Sequence, residues 1–241
     1  MGDNGITVLY KGGRLASWHR LSEAAKKAYE QEHVELMLTV AQEHRLQRLE
    51  GFRLIAPQGE YERFWAMDFP TLEGAEAWIR AEMAPPYGAY GFYEYYLARS
   101  GLPDYCEGWA PRAGETVPQA GDPHEVPVLD VACDSVVVVM FERGETGQVA
   151  GEKPVTKEYL EEMVVFCHKH GLMRLECFQL LAPQAGWHHV WLAEFTAFES
   201  AEAWVQLEKG PGHGCLSERS FTLTRKWAPA YFAGWTCNEE S

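Results

Sequence analysis

Apolar positions along this chain follow two periods, and the periods recur in one order twice. The runs ITVLY (6–10) and SVVVVMF (135–141) are continuously apolar, the pattern of a strand buried on both faces. Each is followed by a stretch with helical spacing, SEAAKKAYEQEHVELMLTVAQEH (22–44) and TKEYLEEMVVFCHKH (156–170), with Ser22 and Thr156 placed as N-caps. Strand patterns return in RLEGFRLIAP and RLECFQLLAP, and again in RFWAMDF and HVWLAEF. TLEGAEAWIRAE and AFESAEAWVQLE then read as short helices, the first capped by Thr71. YGFYEYYLAR and RSFTLTRKW close each series as strands.

The two series are copies. RLEGFRLIAPQ at 48–58 and RLECFQLLAPQ at 174–184 are offset by 126 residues, and at that offset His44 meets His170, Trp65 meets Trp191 and Trp78 meets Trp204. So long a period means duplication of a whole small domain. The order β-α-β-β-α-β, written twice, predicts an α+β chain of two ferredoxin-like repeats. The boundaries fall at 1–100, a Pro/Gly-rich linker at 101–133, and 134–241. Phe64 and Trp65 are adjacent on one strand and point to opposite faces, so both faces of the sheet need cover. Packing the antiparallel sheets face to face, as an α+β barrel within one chain, supplies it.

Charge and cysteines narrow the partners. Twenty-one Lys and Arg against 35 Asp and Glu leave a formal charge of −14. Nucleic acid and acidic lipid both select basic surfaces, so neither is expected as a partner. No apolar run reaches membrane-spanning length and no signal peptide opens the chain. The six cysteines are scattered without a C-x-x-C, which reads as a reduced, cytoplasmic protein. There is no P-loop, G-x-G-x-x-G, G-x-S-x-G or H-E-x-x-H.

The element order, the aromatic third strand and the EAWI helix resemble the dimeric α+β barrel superfamily. Its members include EthD-like proteins, antibiotic-biosynthesis monooxygenases, polyketide cyclases, muconolactone isomerases and chlorite dismutases. The resemblance implies a pocket between each sheet and its helices, and the fold hosts many chemistries. His33, in YEQEHVELM, resembles the EthD-like helix histidine, and Tyr159 replaces it in the second copy. A His there can move a proton near neutral pH, with Asp68 or Glu32 orienting it. Trp65, Tyr87, Tyr90, Tyr93 and Tyr95 would receive a small hydrophobic or aromatic molecule.

The expected function is therefore a cofactor-free enzyme. It would carry out a monooxygenase-like oxygenation, or an isomerisation or cyclisation by proton transfer. The alternatives are a heme protein of chlorite-dismutase type, with His170 or His44 as axial ligand, and a non-catalytic small-ligand carrier. A helix-end cap competes with the ligand role for both histidines. Arg48 with Glu50, and Arg174 with Glu176, read as a repeated ion pair fixing the sheet. His188 and His189 point opposite ways on a strand, and His213 with Cys215 offers soft-metal ligands on a loop. A homodimer of such chains stays open.

Overall fold

A computed structural model describes residues 5–106, 108–113, 134–143, 157–182, 186–209 and 218–235. The chain divides into two compact units. Of the described residues, one gathers those of 5–97 and 226–235, and the other those of 98–113 and 134–225. Thr156, His213, Cys215 and the linker beyond residue 113 lie outside the described residues.

In the first unit β1 spans Ile6–Arg14 and a short helix α1 covers Ala16–His19. Helix α2 runs Glu23–Glu43, and Ser22 caps it by accepting from the Ala25 amide at 3.2 Å. Strands β2 (Arg48–Gln58) and β3 (Tyr61–Phe69) form a hairpin, and α3 (Leu72–Glu82) starts at the Thr71 cap. A 3-10 turn at Tyr87–Tyr90 leads into β4 (Gly91–Ser100). The sheet order β4-β1-β3-β2 is that of the ferredoxin-like unit.

The second unit adds β5 (Arg112–Ala113), which pairs in parallel with β7. It then repeats the plan with β6 (Val136–Arg143), α4 (Lys157–Lys169), β7 (Leu172–Leu180), β8 (His189–Phe195), α5 (Phe198–Lys209) and β9 (Glu218–Lys226). Its order, β9-β6-β8-β7, matches the first. The fold is α+β, as the sequence pattern predicts.

Both faces of the first sheet are buried, as the parity of its strands requires. Val8, Leu49, Trp65, Met67 and Phe69 face α2 and α3. Leu9, Phe52, Phe64 and Ala66 on the opposite face are also buried. Arg48 lies on that opposite face, donates to Glu50 at 2.6 Å and sits 3.8 Å from Asp68. Arg174 repeats this with Glu176 at 3.3 Å and Glu194 at 3.0 Å. Each strand acid also accepts from a hydroxyl, Asp68 from Thr7 at 2.7 Å and Glu194 from Ser135 at 2.8 Å. Buried charges persist only when paired and hydrogen-bonded, so this arrangement fixes the sheets.

Candidate functional site

Helix α2 turns one stripe inward: His33, Met37, Val40 and Ala41 are its buried residues, at helical spacing. His33 is 3 % exposed, a core position and not a helix-surface one. Its Nε2–H donates at 3.1 Å to Oε2 of Glu82, the last residue of α3. Burial pushes the Glu82 carboxyl up, but His33, Arg63 and Arg14 together pull it lower, and it ends below its ordinary value. Glu82 is therefore a carboxylate at neutral pH.

The Tyr87 ring stacks on His33, with centroids 3.9 Å apart, and carries the Arg14 guanidinium 3.8 Å from its centroid. Two planar groups that close to one centroid occupy opposite faces, so Tyr87 is held between them. Trp18 adds a second aromatic contact to Arg14, at 4.5 Å. Burial, then the charge of Arg63, lowers the Arg14 pKa.

Beside this stack lies a cavity of about 20 Å³, room for about one ordered water. Glu82, Arg63 and Tyr10 supply its polar wall, and Trp65, Trp78 and Phe232 much of its apolar wall. Arg63 donates to the Tyr10 hydroxyl at 3.3 Å. Tyr10 stacks on Tyr95 at 5.0 Å and on Tyr93 at 5.7 Å. Gly12 makes room for this, since a Cβ there would fall 2.1 Å from the Tyr10 hydroxyl. Burial raises the Tyr10 and Tyr231 phenols to about 12, and raises Tyr93 and Tyr95 as well. All four phenols keep their protons at neutral pH.

Of the residues expected from sequence, His33, Trp65, Tyr87, Tyr93 and Tyr95 come together here. Asp68 and Glu32 do not join them. Asp68 is bound to Thr7 near Arg48, and Glu32 is exposed on α2. Tyr90 stacks on Tyr29 at 6.0 Å and meets Trp18 at a tilt, 5.8 Å between centroids, outside the cavity wall. Sequence reasoning missed Glu82, Arg14, Arg63, Tyr231 and Phe232.

The last two lie on a 3-10 turn at Ala230–Trp235, after β9, that packs in the first unit. The Trp227 amide donates to the Gly51 carbonyl at 2.8 Å, Phe232 meets Trp65 at 5.8 Å, and the Tyr231 hydroxyl bonds that of Tyr87. A signal for this turn existed. At the same offset of 126, LPDYCEGW (102–109) lies over APAYFAGW (228–235), matching Pro, Tyr, Gly and Trp. The duplication thus extends into what reads as linker, and each trailing segment belongs to the other copy's unit.

Among the described residues no three His, Cys, Asp or Glu side chains gather as metal ligands, and no helix is long and apolar enough to cross a membrane. Cys106, Cys167 and Cys177 are free and buried, and burial raises all three thiols.

No family model matches the chain, and no curated protein matches it. Solved structures do. A tryptophan-to-phenylalanine variant of the chlorite dismutase from Candidatus Nitrospira defluvii, in complex with cyanide, gives a TM-score of 0.67 at 11 % identity, over 96 % of this chain and 93 % of that one. The chlorite dismutase from the same organism in complex with imidazole gives 0.64 at 12 %, over 95 % and 93 %. At such identities the likeness carries the fold, across nearly the whole of both chains.

A heme, implied by the resemblance, needs a porphyrin-sized slot beside an imidazole. His170 is half-buried at the end of α4, stacked 4.2 Å from Phe166. Between the second sheet and its helices lie buried Met163, Cys167, Trp191 and Trp204, with Cys106 and Trp109 added from the segment after β4. His44 closes α2, its Cβ 3.0 Å from where a Gly74 Cβ would stand.

Proposed function

We propose that this chain is a small-molecule enzyme that works in the first repeat, by proton transfer on a hydrophobic, aromatic compound. The observation that carries this reading is the buried His33–Glu82 pair at 3.1 Å, whose carboxylate borders an aromatic-walled cavity. Glu82 is the group placed to take a proton from a carbon beside a carbonyl. His33 stands behind it as the positioning residue, its N–H holding the carboxylate. The proton moves to a Glu82 oxygen and returns to a different carbon, an isomerisation with no net loss. The enolate formed between those steps is stabilised by the protonated phenols around Tyr10. The same enolate is the starting point for a cofactor-independent oxygenation by dioxygen. A cavity of about 20 Å³ is too small for such a substrate, so binding requires the Tyr231–Phe232 turn to move aside.

The test is hydrogen–deuterium exchange in D2O, followed by NMR, on aryl 1,3-dicarbonyl compounds. Exchange accelerated by the wild type and lost in Glu82→Gln is expected. Exchange equal to the buffer rate, or unchanged in that variant, overturns the assignment.

The fold likeness to chlorite dismutases favours a second reading, a heme protein. The absorption spectrum of the purified chain decides between the two. A Soret band that persists through gel filtration supports heme, and its absence after incubation with hemin removes that reading.

A further inference from the structure

The polar groups around the first-repeat cavity are unbalanced in kind. The buried terminal nitrogens of Arg14, the Nε of Arg63 and the hydroxyls of Tyr93 and Tyr95 have no hydrogen-bond partner. Arginine can only donate, and a protonated phenol without an acceptor is an unspent donor. The cluster therefore holds five donor atoms and needs acceptor oxygens. Charge is unbalanced the same way. Among the described residues Glu82 is the one carboxylate on the cavity wall, and it already accepts from His33. Glu30, partly exposed on α2, is the next acid near Arg14 and forms no ion pair with it. Two guanidiniums thus face one spoken-for carboxylate in a desolvated site. Burial of this kind is costly unless something binds there.

We infer that Arg14 and Arg63 form the carboxylate-binding end of this site, and that its ligand is a planar aromatic acid. This deepens the proposed function and rests on it. Arg63 is 5 % exposed, borders the cavity and keeps one buried nitrogen unused. Guanidinium forks match carboxylates in geometry, and a carboxylate accepts at both oxygens. The aromatic body follows from Trp65 and Trp78 on the same wall. Tyr231 and Phe232 already bring an aromatic group and an oxygen to this place, so the turn and the ligand compete for it.

Calorimetric titration of the full chain with benzoate and with benzamide, its uncharged isostere, tests the assignment. Benzoate is expected to bind at least about 10-fold tighter, a difference of about 1.4 kcal/mol. Phe232→Ala should tighten benzoate binding by clearing the site. Arg63→Gln and Arg14→Gln should each erase the preference. Arg63→Lys, which keeps the charge and guards against a folding artefact, should retain it at several-fold weaker affinity. Equal affinity for the two probes, a preference that survives both Gln variants, or no binding even by Phe232→Ala overturns the inference. A chain that binds benzoate but exchanges no substrate proton keeps the anion site and loses the proposed reaction. One that exchanges protons equally on neutral and anionic substrates loses the anion site alone.

Discussion

Corresponding places in the two repeats carry opposite charge balances. In the second, Arg219 lies 2.8 Å from Glu142 and also bonds Glu208, while the Trp191 indole donates to Glu142 at 3.0 Å. One cation there serves two acids. In the first, the matching positions hold Tyr93 for Arg219, Glu82 for Glu208, Trp65 for Trp191 and Arg63 for His189. Two arginines there share one acid, and several donors have no acceptor. Duplication supplied the same walls twice. The second copy pairs its buried arginine with two acids, although His189 Nδ1 and Trp204 Nε1 there also lack partners, and the first leaves guanidinium and phenol donors unmatched. Native interiors rarely tolerate unmatched donors without a reason, and function is the usual one.

That contrast breaks most visibly at Arg219. Arg219→Met strands two buried carboxylates and should cost about 3–5 kcal/mol in urea unfolding. Glu82→Ala leaves Arg14 and Arg63 without their acid. It should cost about 2–3 kcal/mol, less because the carboxylate is 12 % exposed. Gly51→Cys installs the residue that the second copy has at Cys177. A Cβ at Gly51 would lie 2.4 Å from the Trp227 carbonyl oxygen, so the trailing turn should loosen. A loss of about 1–3 kcal/mol and faster proteolysis after residue 226 are expected. Arg63→Met should move the other way, gaining about 1–2 kcal/mol while benzoate binding is lost, the pattern of a site that trades stability for function.

The smallest effect is in pH. Because the folded Glu82 titrates below its ordinary 4.5, its contribution is present above that value and is lost as pH falls through the lower folded one. Stability measured below pH 4.5 should therefore fall less steeply in Glu82→Gln than in the wild type.

The fold was legible because the same order of apolar periods occurs twice, so each copy's elements supported the other's. His33 was singled out by its resemblance to the EthD-like helix histidine, and the structure places it first in the buried stripe of α2. Its partner was not, because Glu82 lies 49 residues further on and reaches it only through the packing of α2 on α3. Arg14 and Arg63 read as ordinary polar strand residues. Whether such an arginine faces water or a closed interior depends on what covers the strand, and strand periodicity does not report that. Asp68, by contrast, looked like a candidate acid beside apolar neighbours, and Thr7 and Arg48 engage it.

The trailing turn also bears on what a single repeat would contain if produced alone. A fragment ending at residue 100 would contain His33, Glu82 and both arginines but lack Tyr231 and Phe232, the residues that close over them. The fragment that follows would hold Tyr231 and Phe232 without the cavity they close. Each unit therefore draws its trailing segment from beyond its own repeat, and neither repeat alone carries every residue of its unit.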